Sequence, residues 1–236
     1  MQSGPVRRRR TGPDWLEQAI TASSSARMRI GIIGSGRIGS TVARLAIAQG
    51  HEVVLSNSRG PETLGDLVAQ LGPQASAATV SDAAASADVV LVAIPVRANR
   101  QLPVEPFAGK IVMHADNYYS RRDGHIAELD SAQTTSSELL AAHLPTARVV
   151  KVFNTIEASQ LGSHGQPAGS DNRRALPLAG DDAEAKKVVT ELIDSFGFDA
   201  VDAGPLAEGR RFEPNTPAYG PRLTADEVRA ALAAVE

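Results

Sequence analysis

A glycine-rich turn near residue 35 constrains the fold of this 236-residue chain more than any other feature. Gly34, Gly36 and Gly39 fit the spacing G-x-G-x-x-G, between an apolar run, MRIGIIGSG, and an amphipathic run, RIGSTVARLAIAQG. In a strand–turn–helix unit the first glycine allows the tight turn, the second lets a pyrophosphate approach the backbone, and the third lets the helix pack on the sheet. The free N–H groups of the helix N-terminus then bind phosphate oxygens. We therefore predict a dinucleotide-binding turn made of Gly34, Ser35, Gly36, Arg37, Ile38 and Gly39.

Apolar and amphipathic runs alternate along nearly all of the chain after residue 28. The predicted strands after the first are HEVVLS, DVVLVAIP, GKIVMHAD, ARVVKVFN, RALPLAG and FDAVDAG. The predicted helices after the first are PETLGDLVAQLG, SDAAASA, SSELLAAHL, DDAEAKKVVTELIDSFG and TADEVRAALAAV. This alternation predicts an α/β fold of the Rossmann type, with a doubly wound, mostly parallel sheet and helices on both faces. We predict a single domain over residues 28–236 that includes a small C-terminal α/β extension.

Two of the predicted helices have a clear apolar face. In the first, Ile38, Val42, Leu45 and Ile47 lie near one side. The later helix places a longer apolar set on one face, namely Ala185, Val188, Val189, Leu192, Ile193 and Phe196. This spacing is typical of helices that pack on a sheet.

The first 27 residues differ from the rest of the chain. They contain four consecutive arginines and the only tryptophan, and no apolar segment follows to complete a secretory signal. We predict a basic, disordered tail, or an upstream start with Met28 as the natural beginning; binding to an anionic surface is the alternative. Without these residues 19 basic and 25 acidic residues remain, so the predicted domain is mildly acidic.

Composition narrows the classes of protein that this chain can belong to. The chain has no cysteine, which excludes disulfides, thiolate catalysis and cysteine metal sites and suits a reducing cytoplasm. The net charge of −3 makes nucleic acid an unexpected partner. No apolar run approaches the roughly 18 residues that span a bilayer. No histidine has metal-ligand spacing or an obvious acid partner, and we predict no metal site.

The loop after the second predicted strand indicates which dinucleotide binds. An Asp or Glu usually stands there and accepts a hydrogen bond from the ribose 2′-hydroxyl. This chain instead has Ser56, Asn57, Ser58 and Arg59. An arginine pairs with a 2′-phosphate and serines donate hydrogen bonds to it, whereas an acid would repel it. We predict a 2′-phosphate pocket and therefore NADP(H) rather than NAD; a solvated polar loop is the alternative.

Further polar residues follow the predicted strands at their carboxyl ends, where ligands bind in open α/β sheets. Ile94 and Pro95 are expected to border the nicotinamide. Asn117, Asn154 and Thr155 are expected to contact the cofactor, with the two asparagines and Tyr118 as candidate catalytic residues. Tyr118 or Tyr119 would stack on a planar substrate. Turn or cap roles for the asparagines, and a core role for a tyrosine, are the alternatives.

Several enzyme classes lose support. No Tyr precedes a Lys by four residues, as the base of short-chain dehydrogenases requires, and G-K-[ST] and G-x-S-x-G motifs are absent. The chain also has no room for a large all-helical substrate domain.

The stretches MRIGIIGSGRIGSTVARLAIAQGHEVVLSNSRGPETL, KVFNT, LAGDDAEAKKVV and GFDAVDAGPL resemble the NADPH-dependent coenzyme F-420 reductase family, over about residues 28–220. The resemblance implies hydride transfer between NADPH and a deazaflavin stacked on the nicotinamide, and a homodimer. The resemblance assigns binding of the 2′-phosphate to Ser56, Ser58 and Arg59. It places the ring-stacking site at the segment around Pro95. HADNYYSRRDGHIAELD and EGRRFEPNTPAYG depart from the family and are expected to reshape the acceptor pocket.

Three functions are consistent with the sequence. The first is an NADP-dependent oxidoreductase that transfers a hydride to a ring acceptor, coenzyme F-420 above all. The second is an NADPH-dependent reductase of a flavin, a ferric chelate or a small carbonyl or imine compound. The third is a non-catalytic NADP(H)-binding sensor. All three need the same phosphate site, so the sequence does not separate them.

Overall fold

The computed structural model describes residues 27–235, in which eight strands form one sheet in the order β3-β2-β1-β4-β5-β6-β7-β8. The strands are β1 (Arg29–Ile33), β2 (Glu52–Ser56), β3 (Ala75–Ala77), β4 (Val89–Val92), β5 (Ile111–His114), β6 (Arg148–Lys151), β7 (Ala175–Gly180) and β8 (Asp199–Asp202). The predicted strands are all present, and β3 is an addition that the sequence pattern did not reveal.

Helices connect most of these strands. They are α1 (Arg37–Ala48), α2 (Gly65–Leu71), α3 (Val80–Ser86), α4 (Ser120–Asp123), α5 (Ala127–Asp130), α6 (Ser136–His143), α7 (Ala158–Leu161), α8 (Ala183–Ser195) and α9 (Ala225–Ala233). Pro61 opens a 3-10 turn, Pro61–Leu64, that leads into α2. Thr135 and Glu138 form a capping box at α6, and Asp182 caps α8 through the N–H of Ala185.

The sheet is parallel from β3 through β6, and the strand order of this part is that of a dinucleotide-binding Rossmann fold. β7 pairs with β6 in the antiparallel sense, and β8 pairs with β7 in parallel. The prediction of a mostly parallel, doubly wound sheet is therefore confirmed. The carboxyl ends of β1, β2, β4, β5 and β6 meet at one edge, which we call the carboxyl edge.

Both faces of the sheet are buried, which explains the continuous apolar runs of its central strands. One face packs against α1 and α8, around Val42, Val189 and Ile193. The other packs against α3 and α6, around Ala84 and Leu140. A third cluster joins α9 to β7 and β8. The sheet thus rigidly positions the loops at its carboxyl edge.

The face of α1 that packs on the sheet differs from the predicted one. Its buried residues are Gly39, Val42, Ala43 and Ala46, whereas Ile38 and its apolar neighbours Leu45 and Ile47 are only half-buried. Small side chains let the helix axis approach the strands closely. The longer aliphatic residues flank this contact.

The C-terminal segment returns to the carboxyl edge after β8. A 3-10 stretch, Leu206–Phe212, is followed by residues 213–220, which contact the loop after β6. The Phe212 carbonyl accepts a hydrogen bond from Asn154 Nδ2 at 2.9 Å, and the Gly220 N–H donates to the Thr155 carbonyl at 3.2 Å. The predicted small extension is thereby placed against the candidate site.

The predicted N-terminal tail lies outside the described residues except for Arg27, which pairs with Glu52. Within residues 27–235 no helix is long and apolar enough to cross a membrane.

Candidate cofactor and acceptor site

The glycine turn has the geometry that its sequence predicts. Gly34 has φ +103°, and a Cβ there would collide with the carbonyl oxygen of Ala93. A Cβ at Gly39 would collide with the carbonyl oxygen of Gly34. Both positions therefore need glycine for the fold itself, the first for the turn and the second for the contact between α1 and β1.

Gly36 is different, because a Cβ at this position would meet nothing within 4 Å. Its backbone is extended (φ −73°, ψ −163°), a conformation that any residue adopts, and no side chain caps α1 from this position. The chain keeps glycine where the protein itself does not require it, beside the uncapped N–H groups of a 12-residue helix. An open space at that place fits a pyrophosphate group.

The loop after β2 is held in shape by Asn57. Its Nδ2 donates to Thr63 Oγ1 at 2.8 Å, and its Oδ1 accepts from the Arg59 N–H at 2.9 Å. Ser58 and Arg59 are exposed at the tip of the loop. Within residues 27–235 no hydrogen bond or ion pair engages the Arg59 guanidinium. A cation is thus presented next to the glycine turn and remains available for an anion.

Ser56 does not lie where the 2′-phosphate prediction needs it. It is fully buried, and its hydroxyl donates to the Ile32 carbonyl at 3.1 Å. Its backbone carbonyl accepts from Ser35 Oγ at 2.8 Å and from the Gly34 N–H at 3.1 Å. Ser56 therefore connects the second strand to the glycine turn, and of the residues predicted to bind the 2′-phosphate only Ser58 and Arg59 are exposed.

One acid approaches this loop, although none lies in its predicted stretch. The Glu62 carboxylate lies beside Gly60, close enough that a Cβ at Gly60 would collide with it. Its charge opposes a bound phosphate at short range, so its contribution has to be tested together with that of Arg59.

The asparagines that follow β5 and β6 face each other across the carboxyl edge. Asn117 Nδ2 donates to the Asn154 carbonyl at 2.9 Å, and Asn154 Nδ2 donates to Asn117 Oδ1 at 3.2 Å. Asn154 Oδ1 is buried and accepts no hydrogen bond within residues 27–235. An unpartnered buried acceptor fits an amide donor such as the nicotinamide carboxamide.

These asparagines line a cleft of 180 Å³ whose wall also includes Ile38 of α1, Thr155 and Tyr219. Phe153 forms part of the wall in the left-handed conformation, with φ +63°, although it is buried. For a residue other than glycine this conformation costs about 1–2 kcal/mol. The turn that it creates directs Asn154 and Thr155 into the cleft, a pattern typical of functional sites.

Tyr118 lies away from the cleft, contrary to its proposed catalytic role. Its hydroxyl donates to Asp130 Oδ1 at 2.6 Å and accepts from the Ile126 N–H at 3.1 Å. The hydrogen bond to Asp130 and burial raise the pKa of Tyr118. Tyr118 therefore fixes the segment that contains α4 and α5 rather than contacting a substrate.

Tyr219 takes the place that the sequence suggested for Tyr118. Its hydroxyl lies 3.5 Å from Asn117 Nδ2 and forms a short hydrogen bond with the Tyr119 hydroxyl. Burial raises the pKa of Tyr219, and its hydrogen bond with Tyr119 raises the pKa further. Tyr219 is therefore a neutral phenol at physiological pH. It belongs to EGRRFEPNTPAYG, one of the two segments expected to reshape the acceptor pocket.

A buried polar network lies next to the cleft, at the carboxyl ends of β4 and β5. Asp116 Oδ1 accepts from the Ile94 N–H at 2.8 Å, and its Oδ2 lies 3.1 Å from His114 Nε2. His114 Nδ1 is 2.7 Å from Ser137 Oγ. The absence of an acid partner for His114 was thus a wrong expectation, since Asp116 lies two residues further on the same side of the strand. Pro95 follows Ile94 after β4, and the predicted contact of both residues with the nicotinamide stays a prediction.

Lys151 and Glu213 extend this network to the C-terminal segment. Lys151 is fully buried, and its Nζ lies 3.0 Å from Ser136 Oγ and 3.1 Å from Glu213 Oε1. Burial alone would raise the pKa of Glu213, but the charge of Lys151 and the hydrogen bonds lower it on balance. Both residues were missed from the sequence, because they lie far apart in the chain and neither forms a local motif.

Among the described residues, the site therefore combines an open glycine turn, a cation without a partner at the neighbouring loop and a cleft with an unpartnered amide acceptor. Together with the strand order, these features define a Rossmann-type NADP(H)-binding fold. The sequence model of the family described as NADP oxidoreductase coenzyme F420-dependent matches residues 29–118. This match covers 90 of the 236 residues, and over these residues the chain is similar to the family.

Three similar proteins span more of the chain. A hypothetical protein of Sinorhizobium meliloti is 30% identical in its crystal structure, with a TM-score of 0.73, covering 90% of this chain and 99% of that one. The F420-dependent NADP reductase of Methanothermobacter thermautotrophicus is 29% identical over 206 residues, which cover 80% of this chain and 87% of the reductase. Metalloreductase STEAP3 of Rattus norvegicus is 30% identical over 187 residues. That match covers 78% of this chain but only 36% of the metalloreductase.

Proposed function

We propose that the protein is an NADP-dependent oxidoreductase that transfers a hydride between NADP(H) and a ring acceptor, with the deazaflavin coenzyme F-420 as the leading acceptor. The observation that carries the proposal is the open position at Gly36 together with Arg59, whose guanidinium has no partner within residues 27–235, because the two fit a pyrophosphate and a 2′-phosphate. The family and the similarity to an F420-dependent NADP reductase support the acceptor.

In this proposal the chain binds and orients NADP(H). The N-terminus of α1 holds the pyrophosphate, with Arg37 and Ile38 in its first turn. Ser58 and Arg59 hold the 2′-phosphate. Asn154 Oδ1 accepts a hydrogen bond from the nicotinamide carboxamide. This hydrogen bond fixes which face of the nicotinamide ring is directed toward the cleft. Ile94 and Pro95 exclude water from the opposite side.

NADPH supplies the hydride when it is bound, so the reaction needs little acid–base chemistry from side chains. The contribution of the protein is the alignment of two rings and the exclusion of water. The rigid carboxyl edge, the strained turn at Phe153 and the paired asparagines suit this task.

Arg59→Ala is expected to weaken NADPH binding by about 1.5–3 kcal/mol, the range of a hydrogen bond to a charged group, and to leave NADH binding nearly unchanged. The dissociation constants of both cofactors, measured by titration of their fluorescence, check this expectation. An equal loss for the two cofactors would contradict the 2′-phosphate role.

Glu62→Gln is the matched control, because it removes a negative charge that lies beside Gly60 in the same loop. If the loop holds a 2′-phosphate, this substitution strengthens NADPH binding and leaves NADH binding unchanged. Weaker NADH binding would instead show that Glu62 accepts a hydrogen bond from a ribose hydroxyl.

Deuterium tracing tests the proposed transfer itself. NADPH labelled at each C4 position is mixed anaerobically with the protein and oxidised F-420, and the reduced deazaflavin is analysed by mass spectrometry. If the label is transferred from just one of the two C4 positions, the result supports direct hydride transfer in a fixed geometry. Label from neither position contradicts it.

The similarity to a metalloreductase favours one alternative acceptor class, a flavin or a ferric chelate. FMN and a ferric chelate are therefore assayed beside F-420. A preference for either of them would keep the NADP site and change the acceptor.

A further inference from the structure

Three polar residues of the cleft wall have no role in the proposed cofactor contacts, namely Glu157, Gln160 and Tyr219. Gln160 accepts a hydrogen bond from Arg174 at 2.9 Å, and the Glu157 carboxylate is an acceptor, so Tyr219 is the hydroxyl donor among them. The cleft wall contains Tyr219, whereas the other two tyrosines of the chain, Tyr118 and Tyr119, are not part of it. Tyr219 is contributed by the segment that folds back after β8, and it lines the cleft. An acceptor that enters the cleft would meet this hydroxyl.

The hydrogen bonds around Tyr219 leave its own proton available. Asn117 Nδ2 can only donate, and it points at the Tyr219 oxygen at 3.5 Å. The Tyr119 hydroxyl can donate to the same oxygen. When both neighbours donate, the Tyr219 hydrogen is free for a third partner. Hydrogen bonds in such a chain polarise one another, which makes the last donor stronger.

The surroundings of Tyr119 favour this direction of donation. Tyr119 is 40% exposed, and the Arg122 guanidinium carbon lies 5.1 Å from the centroid of its ring. A cation over the ring makes the phenol a better donor. Arg122 is itself held by Asp123, whose Oδ2 lies 2.9 Å from Arg122 Nη2.

We propose that the Tyr219 hydroxyl donates the hydrogen bond that positions the heteroatom of the acceptor and stabilises the negative charge that develops there during hydride transfer. The acceptor is accordingly an organic compound with a carbonyl oxygen or a ring nitrogen conjugated to the atom that receives the hydride, and not a metal chelate. This inference rests on the proposed function and adds to it the class of acceptor and the residue that recognises it.

The electrons and atoms of the step balance with NADPH, the acceptor and water. A C–H bond of the dihydronicotinamide breaks with both of its electrons, and a new bond to hydrogen forms on the acceptor. NADPH is oxidised, and the acceptor is reduced by two electrons with negative charge on its heteroatom. Tyr219 keeps its proton and stabilises that charge, and water supplies the proton that completes the product. Fixed donors of this kind contribute a large share of catalysis in many enzymes.

Tyr219→Phe tests the proposal, with F-420 and FMN as the acceptors. Removing one such donor lowers kcat by about 100-fold or more in comparable sites. We expect this fall in the F-420 reaction, while the NADPH dissociation constant and the melting temperature stay close to those of the wild type. Tyr118→Phe is the matched control, because it removes a phenol hydroxyl outside the cleft, and its kcat should stay within about twofold of wild type.

A second readout does not depend on turnover. Oxidised F-420 bound with NADP⁺ forms a complex that cannot react, and a hydrogen bond to the ring heteroatom shifts its absorption band. The shift should be present in the wild type and in Tyr118→Phe and absent in Tyr219→Phe. Wild-type turnover with an unchanged kcat and band in Tyr219→Phe would overturn the inference and leave the proposed function intact. NADPH binding without turnover of either acceptor by the wild type would overturn both.

Discussion

Gly36→Val is expected to fold like the wild type and to lose its affinity for NADPH. The added side chain enters open space, and the local backbone is extended. We therefore expect the substitution to leave the stability of the fold unchanged. The same side chain fills the space through which a pyrophosphate reaches the N-terminus of α1. We expect binding to weaken by at least about 100-fold, which corresponds to about 2.8 kcal/mol at 1.4 kcal/mol per factor of ten. NADPH titration and thermal unfolding check the two halves of this expectation.

Gly39→Ala is the control for Gly36→Val, because its Cβ collides with the Gly34 carbonyl oxygen. Overpacking of this kind destabilises a fold by about 1–3 kcal/mol. Gly36→Val should therefore lower the affinity for NADPH, and Gly39→Ala should lower the stability of the fold. Normal NADPH binding by Gly36→Val would contradict the assignment of the glycine turn.

Lys151→Met is expected to cause the largest loss of stability among the substitutions considered. It leaves the Glu213 carboxylate, whose side chain is 24% exposed, without its cation beside the N-terminus of α6. Removing one partner of a fully buried pair costs about 3–5 kcal/mol, and the partial exposure of Glu213 places the expected loss at the lower end of this range. Chemical denaturation measures the loss. The double variant Lys151→Met with Glu213→Gln should recover part of it, because no uncompensated charge remains. A double variant as unstable as the sum of both single variants would show that the two residues act independently.

The pH dependence of stability gives a second check on the same pair. The pKa of Glu213 is lower in the folded state than its usual value of 4.5, so its contribution is present above pH 4.5 and is lost as the pH falls through the folded value. The difference in unfolding free energy between the wild type and Glu213→Gln should therefore be constant near neutral pH and shrink below pH 4.5. A difference that grows on acidification would contradict the role of Lys151.

Features with a local signature were predictable from the sequence. The glycine turn and the position of each major strand both depend on residues within a few positions of one another. The fold class followed from them, because alternating strands and helices leave few ways to bury both faces of a sheet.

Features that depend on the direction or facing of a strand, or on contacts between residues far apart in the chain, were not predictable from the sequence. The reversal of β7 leaves no trace in RALPLAG, since a strand buried on both faces has the same pattern in either direction. The predicted exposure of Ser56 to the phosphate was wrong, because the residues at the buried end of β2 show no alternation that would distinguish the two faces of the strand. Tyr219 reaches Asn117 across 102 residues, and no local motif marks it as a neighbour of Asn117.

The measurement that tests the central claim most directly is anaerobic mixing of the purified protein with NADPH and oxidised F-420, with FMN and FAD in parallel. The loss of deazaflavin absorbance is followed over time, and NADPH binding is titrated separately. The proposal predicts rapid bleaching of F-420 with NADPH and little with NADH. NADPH that binds without bleaching any of the three acceptors would contradict hydride transfer to a ring acceptor and favour a protein that only senses NADP(H).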